Sequence, residues 1–257
     1  MSEEHIIVRQ DEAVLEIRFN RPSKKNAITN AMYAIMADAL ERAGGDTSVR
    51  AILCSAEGDI YTAGNDLMDF AAQNTGAFSG PRHVQRFLER MIEAEKPVVA
   101  AVQGDAVGVG ATMLLQCDLV YMSETARLIT PFVDLGIVPE NASSITLPAR
   151  IGHVRAFQLL GLCEPMPGRE AAACGIANAA LPAADVEAAA RAAARRLSAK
   201  APESLRLTKA LLRDRHALMA RMRQEGDIFA ERLKSAEAAE AFAAFMQKRP
   251  ADFSKLG

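Results

Sequence analysis

The chain lacks three things that would point away from a soluble enzyme: an excess of positive charge, paired cysteines and a long apolar run. Lys+Arg number 30 against Asp+Glu 32, a formal net charge of -2, so no global basic field exists to recruit nucleic acid or an anionic membrane surface. An anionic ligand would have to be held by a local cluster. Cys54, Cys117, Cys163 and Cys174 are widely spaced and form no C-x-x-C pair, which argues for reduced thiols in a cytoplasmic compartment, acting as small core residues. The most apolar region, Pro97 to Met122, is interrupted by Gln103, Asp105, Gln116 and Asp118, so no transmembrane segment is expected. Met1 to Gln10 carries Glu3, Glu4 and Arg9 beside only a short apolar run, unlike a signal peptide, and export is not expected. Ser254-Lys255-Leu256 is followed by Gly257, and a peroxisomal address is read only at the extreme C-terminus, so none is expected here.

Several catalytic signatures are missing as well. Gly104, Gly108 and Gly110 cluster, but without a Gly-Lys-Ser/Thr ending, and Met113 stands where the third glycine of G-x-G-x-x-G would fall. A G-x-S-x-G nucleophile elbow is absent. His5, His83, His153 and His216 are isolated from one another and from acidic pairs at ligand spacing, so each reads as a surface or cap residue and no metal site is expected.

What is present is an alternation of strand and helix in a chain of 257 residues, half of them hydrophobic, long enough to bury a sizeable core. Leu15, Ile17 and Phe19 alternate with Val14, Glu16 and Arg18, the period of a half-buried strand, with Ile6 to Val8 as hairpin partner across Asp11-Glu12. Thr29 can cap a helix whose Met32, Ile35, Met36, Ala39 and Leu40 form one stripe, ended at Gly44-Gly45. Ala51 to Cys54 reads as a buried strand, Val84, Phe87, Leu88, Met91 and Ile92 as a second helical stripe, and Pro97 to Val102 as another buried strand. Met32, Met36, Phe87 and Met91 are therefore core candidates. A short helix near Val109 to Gln116, a strand at Asp118 to Met122 and an extended piece at Ala126 to Ile129 complete a layered α/β pattern, and beyond Pro182 the sequence is Ala-rich and helical.

Three glycine-containing stretches follow strands: Tyr61 to Leu67, Gln103 to Gly110 and Leu135 to Ser144. Glycine lets backbone approach a ligand closely, and a loop opening a helix offers unpaired N–H groups to negative charge. Strand-to-helix turns use glycine anyway, so any one loop alone is ambiguous.

Arg21-Pro-Ser-Lys-Lys-Asn-Ala27, the Tyr61 to Leu67 stretch and the Gln103 to Asp118 stretch together resemble the enoyl-CoA hydratase/isomerase (crotonase) family over Ile6 to about Met246. The resemblance implies an α/β fold, a spiral of ββα units, with a crotonase-like core over residues 1–195 and a C-terminal helical trimerisation region over 196–257. It also implies an acyl-CoA thioester substrate, a homotrimer or homohexamer, and no permanently bound cofactor, coenzyme A entering as part of the substrate. The shared chemistry is a thioester enolate held by two backbone amides. By motif position these are the N–H groups of Asn65, after Ala63-Gly64, and Val109, after Gly108. Such donors are worth roughly 3–4 kcal/mol each in comparable sites.

Crotonase-like hydratases need two carboxylates, and at those positions this chain has Thr112 and Phe132. Neither side chain is a base near neutral pH. Glu140, in Pro139-Glu-Asn-Ala-Ser-Ser144, resembles the catalytic base of the peroxisomal-type Δ3,Δ2-enoyl-CoA isomerases. Its local alternative is a first-turn helix residue favoured by the helix dipole. A helix N-terminus would lower its pKa, whereas an apolar pocket formed by residues such as Phe132 or Ile137 would raise it, and desolvation is expected to win. Lys24 and Lys25 could meet CoA phosphates or be a solvated pair. The resemblance further places Ala27, Ile28, Ala63, Asp66 and Leu67 along the adenine and pantetheine path, and the C-terminal helices, with Phe245, Lys248 and Phe253, near a neighbour's site. Two other readings remain: hydration using Glu140 with an acid such as Asp66, Asp69 or Asp134, and a noncatalytic acyl-CoA-binding protein that has kept the scaffold.

Overall fold

The computed structural model describes residues 4–66, 68, 80–254 and 256. Strands β1 (Ile6–Asp11) and β2 (Val14–Phe19) form an antiparallel hairpin whose turn puts Glu12 at φ 53. Three further strands, β3 (Ala51–Ala56), β4 (Val98–Val102) and, after the short β5 (Ala106–Val107), β6 (Leu119–Ser123), add in parallel to β2. A second, small sheet joins β5 to β7 (Arg127–Ile129) and β8 (Met166–Pro167), and β9 (Ala179–Leu181) closes the main sheet in the order β1-β2-β3-β4-β6-β9.

Helices cover both faces of the main sheet. Helix α1 (Asn30–Gly45) starts at Thr29, whose hydroxyl accepts from the Met32 N–H, and buries Met32, Met36, Ala39 and Leu40, while Ile35 is left 41% exposed. With α2 (His83–Glu93) it packs Phe87, Leu88, Met91 and Ile92 against Leu15, Ile17, Phe19, Ile52 and Val98. Each such side chain contributes about 1.5–3 kcal/mol on burial. The site-forming segment is α3 (Val109–Thr112), continued by a 3-10 turn over Met113–Gln116. Beyond it come α4 (Ser143–Ile151), α5 (His153–Leu160), α6 (Gly168–Ala173) and α7 (Ala183–Ser198).

Strand β2 is not half-buried, because α7 covers its second face: Val186, Ala190, Ala193 and Ala194 pack against Val14, Ala51, Leu53, Val99 and Ala101. The alternation along β2 has the expected parity, but its polar side meets another layer instead of water. The expected domain boundary between residues 195 and 196 falls inside this sheet-covering helix. Helices α8 (Pro202–Leu212), α9 (Arg215–Arg232) and α10 (Ala236–Gln247) follow. Lys209 of α8 reaches back to Asp118 at 2.7 Å, anchoring the tail to the core beside β6. Among the described residues no helix is long and apolar enough to cross a membrane, and no group of His, Cys, Asp and Glu could hold a metal ion.

Candidate active site

The first glycine loop lies between two other segments. The Ile28 N–H donates to the Gly64 carbonyl and the Asp66 N–H to the Ile28 carbonyl, while Val107 N–H donates to Thr62 O. Asn26, fully buried at φ 54, holds the turn beneath: its side-chain amide donates to Glu57 O and Ile60 O, and its Oδ1 accepts from Arg21 N. Thr62 Oγ1 then donates to Asn26 O and accepts from Gly64 N. Here is the physical content of the Arg21 to Ala27 motif, a buried polar brace that fixes the loop's height.

At Gly64, φ is +83 and an added Cβ would stand 2.8 Å from Val107 O, so only glycine brings this loop against the start of α3. Gly108, at φ 56 and ψ -119, turns the chain so that Val109 opens α3. Neither the Asn65 nor the Val109 N–H donates to any described residue. Both belong to the neighbouring segments that Gly64 joins, as a two-donor oxyanion site requires. The Asn65 side chain is itself held, its Oδ1 accepting from Tyr33 OH at 2.6 Å.

A cavity of about 460 Å³ is lined among others by Ile28, Tyr33, Asn65, Leu88, Glu140 and Asn141; Val109, buried at the start of α3, is not part of its lining. Helix α9 forms another wall with Met222, Gly226, Phe229 and Ala230. This part of the C-terminal region therefore lines the chain's own cavity, whereas Phe245, Lys248 and Phe253 lie on exposed surface away from it.

Glu140 is buried at 9% exposure and precedes the helix instead of starting it: α4 begins at Ser143, after Asn141 and Ala142 at φ 62 and 58. The first-turn alternative is thereby overturned. Burial pushes its carboxyl up to about 7, the negative charge of Glu225 adds to the rise, and the Thr112 hydroxyl opposes it. Oε1 has no hydrogen-bond partner among the described residues. Phe132 and Ile137 are not part of the cavity lining; they cluster with Ala238, and Phe229 and Leu233 pack against that cluster while themselves lining the cavity with Ile28, Leu88 and Met222.

The other expected positions divide. Ile28 and Asp66 line the cavity, but Asp66 is paired with Arg21 at 2.7 Å and accepts from Met68 N, which occupies it structurally. Ala27 offers its carbonyl to Arg21, and Ala63 donates to Lys25 O. Lys24 and Lys25 are exposed at the 3-10 turn Pro22–Lys24, outside the cavity lining. Leu67 and Asp69 lie outside the described residues, and Asp134 is exposed and not part of the cavity lining. Thr112 and Phe132 are both buried, and neither carries a carboxylate. Local sequence reading misses Tyr33, Asn26 and Glu225, because their roles rest on contacts between distant segments.

Comparison with known proteins agrees with this geometry. The enoyl-CoA hydratase/isomerase family matches residues 9–255. "Enoyl-CoA delta isomerase 2" of Rattus norvegicus is 35% identical over 95% of this chain, which spans 64% of that protein's length. A "Probable enoyl-CoA hydratase" of Bacillus subtilis is 30% identical over 96% of this chain and 97% of its own. The crystal structure of an enoyl-CoA hydratase/isomerase from Pseudoalteromonas atlantica T6c superposes with a TM-score of 0.92 at 41% identity, covering 97% of this chain and 100% of the other. The fold is crotonase-like, and the chain belongs to the enoyl-CoA hydratase/isomerase family.

Proposed function

We propose that the protein is an enoyl-CoA isomerase, moving the double bond of a 3-enoyl-CoA to the 2-position. Glu140, as carboxylate, removes a C2 proton; the C–H electron pair flows into the thioester carbonyl, giving a dienolate whose oxygen is held by the Asn65 and Val109 N–H groups. The protonated Glu140 returns the proton to C4, and the electrons of the old C3=C4 bond with those of the enolate leave a conjugated C2=C3 bond. No atom is lost or gained.

The observation that carries this reading is Glu140, a buried carboxylate that lines the same cavity as Asn65, with its pKa raised to about 7. A group that must take a proton and give it back works best when its pKa lies near the working pH. Hydration would need a second carboxylate, and the positions that would carry one hold Thr112 and Phe132. An acyl-CoA substrate, a homotrimeric or homohexameric assembly and a cytoplasmic setting belong to the same proposal. Family membership, the apolar Phe157, Leu211 and Leu212 left at 59%, 88% and 79% exposure, and four free cysteines support them.

The test is conversion of trans-3-hexenoyl-CoA to the conjugated 2-enoyl-CoA, with hydration of crotonyl-CoA assayed on the same preparation. Isomerisation should rise with pH through an inflection at about 7. Glu140→Gln should lower it by about 10³-fold. Dominant hydration, or a Gln variant that still isomerises, would overturn the reading.

A further inference from the structure

Next to the turn that carries Glu140, α9 buries a second carboxylate. Glu225 is 5% exposed and does not line the cavity, although Met222 and Gly226 of the same helix do. Its Oε2 accepts from Ala142 N at 2.6 Å and its Oε1 from Ser144 N at 2.9 Å. Both oxygens thus grip the backbone that follows Glu140, at the orphan N–H groups where α4 begins.

That backbone needs holding. Asn141 and Ala142 are consecutive non-glycine residues at φ 62 and 58, a left-handed pair that L side chains adopt at a cost of about 1–3 kcal/mol each, as general experience with such residues shows. The Asn141 side-chain amide has no hydrogen-bond partner among the described residues, so none of them is braced by it. The bracing comes from elsewhere. Gln116 Nε2 donates to Asn141 O at 2.7 Å, and Gln116 is in turn fixed by Arg213, which donates to its backbone carbonyl and its side-chain oxygen. Arg213 lies in the link between α8 and α9, so two residues of the C-terminal region hold the strained turn, one directly and one through Gln116.

We propose that Glu225 is the positioning residue for Glu140, clamping the turn that carries the base and setting a second buried carboxylate next to it, so that docking of α9 both walls the cavity and readies the base. The inference rests on the reading of Glu140 as the proton shuttle. The groups that face the pair are few. Arg221, one turn earlier on α9, donates to Ser144 Oγ at 3.3 Å; burial raises the Glu225 carboxyl above the ordinary carboxylate range, and its hydrogen bonds to Ser144 and Ala142 and the charge of Arg221 oppose that rise. From α2, Glu89 is engaged by Arg223 at 3.7 Å, and from α4, Arg150 is turned to the Leu115 carbonyl. The Thr112 hydroxyl of α3 acts on Glu140 in the opposite sense, favouring its ionised form. No cation is paired with Glu140 itself among the described residues, and Glu225 is the charged neighbour that raises its pKa.

The two roles separate by substitution. Glu225→Gln keeps the size but removes the charge, and its amide presents a donor where a second acceptor is needed, so one backbone N–H is lost from the clamp. Glu225→Asp keeps the charge and shortens the reach. The titration of the Glu140 carboxyl is followed by infrared difference spectroscopy, with Glu140→Gln as blank, alongside the pH profile of isomerisation. In Glu225→Gln the Glu140 titration should move down by about one pH unit and kcat should fall about tenfold, with KM within about twofold because Glu225 lines no part of the cavity. In Glu225→Asp the titration should stay at the wild-type pH while kcat falls about tenfold. An unmoved titration and unchanged kcat in Glu225→Gln would overturn the proposal, as would an Asp variant that titrates with Gln instead of wild type. If Glu225→Gln fails to accumulate folded protein, the Asp variant decides: wild-type kcat there overturns the clamp. Should the wild-type protein isomerise nothing, the infrared titration still reads the effect of Glu225 on Glu140, so failure of the reaction and failure of the clamp remain distinguishable.

Discussion

Two buried glutamates, Glu16 in β2 and Glu140 before α4, have the same side chain and opposite electrostatics. Glu16 has no exposed surface, and it is surrounded by donors: Arg9 at 2.6 Å, Arg18 at 3.1 Å, Arg191 at 2.9 Å and the Ser55 hydroxyl at 2.6 Å. Burial opposes its ionisation, but the Ser55 hydroxyl and the arginines outweigh burial and hold the carboxyl at about 2. Glu140 is buried with an anion for a neighbour and no paired cation among the described residues, and it rises to about 7. Burial pushes both carboxyls upward, and it prevails only where no ring of donors opposes it. The count and sign of the neighbours make one carboxylate a fixed structural charge and the other an exchangeable proton site.

The largest stability effect that would sharpen this contrast is at Glu16. Glu16→Gln leaves Arg18 and Arg191 facing a neutral group in a covered layer, and should destabilise the fold by roughly 3 kcal/mol at pH 7 while leaving KM unchanged. Urea unfolding measures it; a loss within experimental error would mean that the arginines relax to water. Because the Glu16 pKa is lowered, its contribution is present above the ordinary carboxylate range and fades as pH falls toward about 2.

Glu140 should behave in the opposite sense. Its raised pKa means that its contribution is fully present in acid and is lost as pH rises through about 7. Glu140→Gln, inactive as a catalyst, should therefore stabilise the protein by about 2 kcal/mol at pH 8 and by almost nothing near pH 4. Thermal melts at the two pH values check the sign, and equal shifts at both would break the comparison. The smallest effect is expected from Ser55→Ala, which removes one donor of the four around Glu16 and should cost about 1 kcal/mol, seen as a small fall in the urea midpoint. A larger loss would place more of the Glu16 anchoring on the hydroxyl than on the arginines.

Much of the scaffold is legible in the sequence. The Thr29 cap, the stripes over Met32 to Leu40 and Val84 to Ile92, and the apolar strands at Ala51 and Val98 are local patterns that the tertiary structure has no reason to override. The glycines of the site are legible for the same reason, since Gly64 and Gly108 are demanded by backbone conformation at their own positions. Resemblance to a family singled out Glu140, which local sequence left as one of two readings.

What the sequence by itself determined, then, is the order of strands and helices, the glycine-dependent loops and the carboxylate that stands beside them, because caps, periodicity and φ preferences act over a few residues. Only the tertiary structure decided the environments. Glu225 reaches Ala142 across 83 positions and Arg191 reaches Glu16 across 175, and the outer face of β2 is dry only because α7 returns over it. A pKa is set by whatever charge and solvent lie within a few ångströms in space, and spacing along the chain carries no record of that until the chain has folded.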